Sequence, residues 1–61
     1  MPKDRLNTNL AIIEELRRLA QKYPDWRFHQ LLQNCKANIA GTDLFYEESS
    51  ITFDRMMDSK I

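Results

Sequence analysis

The most constraining feature of the sequence is a series of apolar residues at helical spacing, which ends at Pro24. On a helical wheel one half carries Leu6, Leu10, Ile12, Ile13, Leu16, Leu19, Ala20 and Tyr23. This apolar arc covers about 180°, whereas a helix that packs on one neighbour needs only about 100°. We therefore predict a helix over residues 6–23 that contacts two neighbours, one of which can belong to a second chain.

A second helix is predicted over residues 26–39. The residue before a proline avoids the α conformation, so the first helix ends at Tyr23, and the side chain of Asp25 can cap the next helix. Gly41 is a suitable residue for ending that helix. The apolar residues within it repeat at helical spacing: Phe28, Leu31, Leu32, Cys35 and Ile39. The link between the two helices is then about two residues long, which predicts a compact corner or an antiparallel hairpin.

The last third of the chain predicts a short turn and a third helix. Thr42 and Asp43 can cap a single turn at residues 43–46. Residues 51–57 fit either a strand or a helix, but a lone strand has nothing to pair with, so we predict a helix over residues 50–58. The fold class is therefore all-α: a compact three-helix protein in one domain spanning residues 1–61, with residues 1–5 frayed.

The predicted core combines the inner faces of the three helices. Its main cluster is Leu10, Ile13, Leu16, Phe28, Leu31, Leu32, Cys35 and Phe45. A chain of 61 residues buries only about 60% of its unfolded surface, and a single cysteine provides no disulfide. We therefore expect a marginally stable monomer that gains from burial against a second copy or another partner.

Charge and composition exclude several classes of protein. Nine basic and nine acidic residues give a net charge of zero, which argues against bulk electrostatic binding of nucleic acid or an anionic membrane. No apolar segment reaches the ~18 residues of a membrane span, and the first residues do not form a signal peptide. One cysteine beside three methionines fits a reducing cytoplasm, so we expect a cytoplasmic protein with no membrane partner.

No group of residues predicts catalysis, a metal or a cofactor. His29 and Cys35 would lie about 120° apart on the second helix, so they converge neither on a metal nor as a catalytic pair. One glycine is too few for a phosphate-binding loop. We therefore expect a protein that is not an enzyme and binds no cofactor.

The corner between the first two helices holds distinctive polar residues. The predicted structural corner consists of Pro24, Asp25, Arg27 and Glu47. In it Arg27 pairs with Asp43, Glu47 or Glu48, because residues 41–61 carry five acidic and only two basic side chains. In the alternative interpretation Asp25 only caps a helix, and Arg27 stays in solvent.

Trp26 is the largest side chain in the sequence, and two positions are open to it. In a regular helix it lies opposite Phe28 and Leu31. It then either folds back over the first helix near Tyr23 or stands exposed as an anchor for a partner.

Two motifs are similar to a pattern in a group of small uncharacterised bacterial and phage proteins. They are the sequences YPDWRFHQLLQN at residues 23–34 and DLFYEE at residues 43–48. The group has a first helix, then Pro-Asp-x-Arg-Phe-x-Gln-Leu-Leu, then a Phe-Tyr-x-Glu/Asp turn before a last helix, and the chain resembles it over residues 6–57. It departs from the group at His29, where we expect a small residue. The resemblance implies a small helical fold and a bacterial or phage origin, and it implies no reaction.

The functional expectation is a small protein-binding module. Its candidate contact residues are Trp26, Arg27, Gln30, Tyr46, Ile12, Leu16 and Leu19. By size and resemblance we expect an inhibitor or adaptor that acts on a host protein, such as a defence enzyme, and a homodimer formed through the first helix. The alternative is a helix-turn-helix-like nucleic-acid-binding module, because Arg27, Gln30, Gln33 and Asn34 are base-reading types. The neutral net charge makes nucleic acid the less favoured partner.

Overall fold

The computed structural model describes residues 4–59, in which three α-helices and no strand are present. The helices are α1 (Arg5–Lys22), α2 (Phe28–Asn34) and α3 (Ser49–Ser59). The prediction of an all-α three-helix protein is therefore confirmed. Helix α1 packs against both α2 and α3, so it is the central element of the fold.

Helix α1 begins earlier than predicted. Asp4 is its N-cap residue, and the Asp4 carbonyl accepts a hydrogen bond from the Thr8 amide at 2.8 Å. The prediction of fraying is therefore wrong for Arg5, which is helical, while residues 1–3 lie outside the described range. The helix ends where Pro24 predicts, with a 2.8 Å hydrogen bond from the Tyr23 amide to the Leu19 carbonyl.

Helix α2 begins later than predicted, and Asp25 does not cap it. The N-cap residue is Arg27, and the side-chain oxygen of Gln30 accepts a hydrogen bond from the Arg27 amide at 2.8 Å. The segment from Pro24 to Trp26 forms a turn instead, closed by a 3.2 Å bond from the Trp26 amide to the Tyr23 carbonyl. The turn brings the indole of Trp26 onto the ring of Tyr23, so the two residues predicted to cap and start the helix belong to this turn instead.

Helix α2 also ends earlier than predicted, at Asn34. Lys36 adopts a φ of 66°, in the left-handed region, and its amide donates to the Gln33 carbonyl at 3.1 Å. A left-handed residue after the last turn is a common helix stop, although glycine usually occupies it. The predicted end near residue 39 before Gly41 is therefore wrong, and Ile39 lies in the following loop.

Helix α3 resolves the ambiguous segment. Residues 51–57 are helical, and the carbonyl of Glu48 accepts hydrogen bonds from the amides of Ile51 and Thr52 at 3.0 and 3.3 Å. The helix prediction for this segment is confirmed.

The core is small and lies on one side of α1. The buried side chains are Leu19, Leu31, Cys35 and Met56, with Ile12, Leu16, Tyr23, Trp26 and Ala37 packed partly buried against them. The prediction is correct for Leu31 and Cys35, while Leu16 and Leu32 are half-buried. It is wrong for four residues that the structure exposes: Leu10, Ile13, Phe28 and Phe45. The core that α1 shares with α2 and α3 involves its Ile12–Leu16–Leu19 side, so the Leu10–Ile13 side stays in solvent.

We predict that Leu31→Ala will destabilise the protein by roughly 2–5 kcal/mol, because Leu31 is one of the four side chains that are buried within residues 4–59. In a domain this small, that loss is enough to unfold much of the population. Leu10→Ala is the matched control, because Leu10 is exposed and its truncation leaves no cavity. Urea unfolding followed by far-UV circular dichroism measures both variants, and equal midpoints would contradict the assigned core.

We predict that Lys36→Gly will stabilise the protein by about 1 kcal/mol, because glycine adopts a φ of 66° without the steric penalty of a Cβ atom. Lys36→Ala keeps the Cβ atom and should give no gain. A thermal melt of the three proteins checks the prediction, and a Gly variant no more stable than the Ala variant would argue against backbone strain at this position.

Candidate functional site

The most exposed aromatic side chains lie in a short turn between α2 and α3, here called the aromatic turn (residues 43–48). The rings of Phe45 and Tyr46 meet edge to face, with centroids 4.9 Å apart, and are 81% and 92% exposed. The carboxylate of Asp43 accepts a hydrogen bond from the Phe45 amide at 3.0 Å. The Glu47 amide donates to the Leu44 carbonyl, also at 3.0 Å, and closes the turn. The backbone is thus locally fixed while both rings point into solvent.

One side of the aromatic turn is fastened to α3 by Arg55. Its two terminal nitrogens donate to the two carboxylate oxygens of Glu47 at 2.9 and 2.7 Å. The hydroxyl of Thr52 donates to the same carboxylate at 2.5 Å. Both members of the ion pair are largely shielded from solvent. The Arg55 guanidinium, helped by the Thr52 hydroxyl, lowers the pKa of Glu47 from 4.5 to about 2.

The other side of the turn is fastened to the start of α1. Arg5 donates from Nε and Nη2 to the two carboxylate oxygens of Glu48, at 2.8 and 2.7 Å. This pair is more exposed than the Arg55 pair, and the bonds from Arg5 lower the pKa of Glu48. The Ser49 hydroxyl also donates to the side-chain oxygen of Asn9, which joins the first turn of α3 to α1. The turn is therefore held between two helices by two bidentate ion pairs.

The predicted structural corner forms only in part. Pro24 and Asp25 lie in the turn between α1 and α2, as expected. The predicted pairing of Arg27 with Asp43, Glu47 or Glu48 is wrong, because within residues 4–59 Arg55 and Arg5 take the two glutamates and Arg27 forms no ion pair.

Most of the predicted contact residues have roles within the chain. Trp26 takes the first of its two predicted positions and stacks on Tyr23, with ring centroids 4.1 Å apart and planes 7° from parallel. Gln30 caps α2 through its side-chain oxygen. The prediction that Leu19 contacts a partner is wrong because it is buried, and Ile12 and Leu16 pack against the same core. Tyr46, also a predicted contact residue, is exposed and lies outside the core.

Two arginines that hold the turn were missed by sequence reasoning. Arg5 lies in the segment that the sequence predicts to fray, and such a segment gives no indication of the long-range ion pair with Glu48. Arg55 is the only basic residue between Gly41 and Ser59, a stretch with five acids. This excess of acidic residues around Arg55 could have indicated an ion pair, because a single cation attracts the nearest carboxylate that its side chain can reach.

A second exposed apolar feature lies on α1 and is here called the α1 stripe: Leu6, Leu10 and Ile13. These side chains are 69%, 53% and 58% exposed and recur at i, i+4 and i+7, so they share one face of the helix. The stripe is turned about 120° away from the side that faces α2 and α3.

The groove between α1 and α3 carries paired charges at its rim. Its volume is about 390 Å³, and Phe53 and Met57 form much of its apolar lining. Two ion pairs border it, Glu14 with Arg17 at 3.1 Å and Glu15 with Arg18 at 2.5 Å. The bonds from Arg18 lower the pKa of Glu15.

The remaining reactive side chains do not converge on a site. Cys35 is buried, donates weakly to the Leu32 carbonyl at 3.5 Å, and its removal from water raises the pKa of the thiol. Within residues 4–59 no three His, Cys, Asp or Glu side chains are grouped as metal ligands would be. None of the helices in that range combines the length and apolarity that crossing a membrane requires.

Comparison of the chain with protein-family models, curated proteins and solved structures gives no match.

We predict that the free energy of unfolding will fall as the pH is lowered from about 4.5 to about 2. The folded pKa of Glu47 is depressed to about 2, so its ion pair stabilises the fold above pH 4.5 and is lost as Glu47 becomes protonated. Glu47→Gln removes this titration and should make the pH dependence shallower over the same window. Urea unfolding at a series of pH values measures both slopes, and parallel slopes would show that the pair contributes nothing.

Proposed function

We propose that this protein is a small non-enzymatic protein-binding module whose main contact with its partner is the aromatic turn. The observation that carries the proposal is the pair of neighbouring rings, Phe45 and Tyr46, held in solvent on a fixed backbone. Tyrosine is among the residues enriched at the energetic centres of protein interfaces. Two large rings contribute no core packing where they stand, so binding is the role that their position favours.

The rigidity of the aromatic turn supports the proposal. Binding ordinarily loses free energy when loops and side chains become ordered, and a pre-ordered contact avoids much of that loss. The two glutamates that follow Tyr46 are already held by Arg5 and Arg55, and Asp43 fixes the backbone before Phe45. Binding through Phe45 and Tyr46 therefore requires little further ordering of the backbone of the aromatic turn.

The sequence resemblance extends the proposal to biological context. The similarity to small bacterial and phage proteins supports an inhibitor or adaptor that acts on a host protein, such as a defence enzyme. A cytoplasmic location is consistent with Cys35 as a buried, unpaired thiol. We also propose that the module forms a homodimer.

The nucleic-acid alternative has less support. Helix α2, which would act as the recognition helix, has seven residues and so spans only about 10 Å. One of its candidate base-reading side chains, Gln30, is used as a helix cap. The equal numbers of acidic and basic residues give no positive footprint.

We predict that the double variant Phe45→Ala, Tyr46→Ala will fold normally and lose its partner. Truncation of an interface anchor weakens binding by about 2 kcal/mol or more, which is roughly 30-fold in affinity. Phe28→Ala is the matched control, because Phe28 is an exposed aromatic residue on α2, outside the turn. Affinity capture from a bacterial lysate with quantitative mass spectrometry compares the three proteins.

The proposal requires a protein that the wild type and Phe28→Ala retain and the double variant does not. Retention of the same proteins by all three would contradict a contact through the aromatic turn. Capture of DNA or RNA with a steep loss of binding at higher salt would favour the nucleic-acid alternative, because salt displaces a protein from phosphates.

A further inference from the structure

Two ring pairs that meet edge to face lie on the surface of the part of the chain that the structure describes, and the charges around them differ. Phe45 and Tyr46 belong to the aromatic turn, which has three acidic residues and no basic residue. Phe28 and His29 meet with centroids 5.7 Å apart and directly follow Arg27. The first pair therefore has an acidic setting and the second a basic one.

One carboxylate of the aromatic turn has no counter-charge within residues 4–59. The two glutamates of the turn are each bound by an arginine, Arg55 and Arg5, so these four charges offset one another. Asp43 forms no ion pair in the same range, and only one of its carboxylate oxygens accepts a hydrogen bond, from the backbone of the turn. Three carboxylates against two guanidinium groups leave one negative charge, which lies two residues before the first ring.

The faces of the two rings favour the same kind of ligand. The face of an aromatic ring is the negative end of its quadrupole and attracts a cation within about 6 Å, arginine more often than lysine. Phe45 and Tyr46 are 81% and 92% exposed, so the ring surface outside their mutual contact is accessible. The rings and Asp43 thus both attract positive charge.

We infer that the aromatic turn recognises an arginine side chain on the partner protein. The guanidinium stacks on an exposed face of the ring pair, and the carboxylate of Asp43 supplies the counter-charge. The inference rests on the proposed function and adds the chemistry of the partner segment. Arginine suits this surface better than lysine, because the guanidinium is planar and weakly hydrated and keeps N–H donors at its edge while its face lies on a ring.

Arg5 lies beside the rings without opposing a basic partner. Together with Phe45 and Tyr46 it lines a depression of about 370 Å³. Its Nε and Nη2 donate to the two carboxylate oxygens of Glu48, which also lines the depression, so this pair carries no net charge. The sign of the charge that the turn attracts is therefore decided by Asp43.

NMR titration of the wild type with short blocked peptides tests the inference. The probe is acetyl-Gly-Arg-Gly-Arg-Gly-amide, and the two control peptides replace both arginines with citrulline, a neutral isostere, or with leucine. We expect the arginine peptide to shift the ring protons of Phe45 and Tyr46 and to bind about threefold or more tightly than the citrulline peptide at low salt. The ring protons of Phe28 are the internal control and should shift little, because Arg27 precedes that ring.

Two variants separate charge and ring face from apolar contact. Asp43→Asn keeps a side-chain oxygen that can accept the bond from the Phe45 amide, and it removes the charge. It should weaken binding of the arginine peptide by about fivefold at low salt and much less at high salt. The double variant Phe45→Leu, Tyr46→Leu keeps two apolar side chains and removes both ring faces, so it should weaken the arginine peptide by about threefold or more and leave the leucine peptide nearly unchanged. Circular dichroism establishes that both variants remain folded.

The outcomes separate this inference from the proposed function. Equal binding of the arginine and citrulline peptides, or no shift with the arginine peptide, would overturn arginine recognition. Binding of the arginine peptide that neither variant weakens would overturn the assigned site. None of these results decides whether the aromatic turn contacts a partner, because the capture experiment with the alanine variants of Phe45 and Tyr46 tests that contact separately.

Discussion

The arrangement of the three helices depends on the guanidinium of Arg55, where three segments of the chain meet. Its terminal nitrogens hold Glu47 at the end of the aromatic turn, and its Nε donates to the Lys36 carbonyl at 2.8 Å. Lys36 is the left-handed residue that ends α2. One side chain on α3 thus joins the residue at which α2 stops to the turn that leads into α3. The planar guanidinium is suited to this role because it holds several N–H donors in a fixed arrangement. A lysine ammonium could not bond the same acceptors with that geometry.

A polar junction of this kind matters more in this chain than in a larger domain. Among the residues that the structure describes, the buried cluster has four side chains, so apolar burial alone supports the fold only weakly. An exposed ion pair contributes little, but the pair of Arg55 and Glu47 is bidentate and largely shielded from water, which is the geometry in which such a pair is effective. The same scarcity of burial explains why apolar side chains remain on the outside of α1.

The sequence was sufficient for the number and order of the helices and insufficient for the two ends of α2 and for the long-range pairings. The apolar spacing and Pro24 predicted the three helices, because both features influence the conformation of residues close to them in the sequence. The end of α2 was not predictable, because Lys36 takes a conformation that suits glycine better and is bonded from α3. Similarly, the charge of Glu47 predicted an arginine partner, but the choice of Arg55 over Arg27 depends on which helix lies beside the turn. Which edge of α1 stays exposed depends on the position of α3, and no local pattern encodes it.

The burial of Cys35 has a practical consequence for measuring how this fold opens. Only the thiolate attacks an alkylating reagent, and in the folded protein this group is both inaccessible and held in its protonated form. Alkylation of Cys35 therefore requires that α2 first separate from α1 and α3. Because the chain has a single cysteine, each labelled molecule reports one opening event. The rate at which Cys35 is alkylated in the native protein therefore measures transient unfolding. Mass spectrometry can follow it without denaturant and without an engineered cysteine.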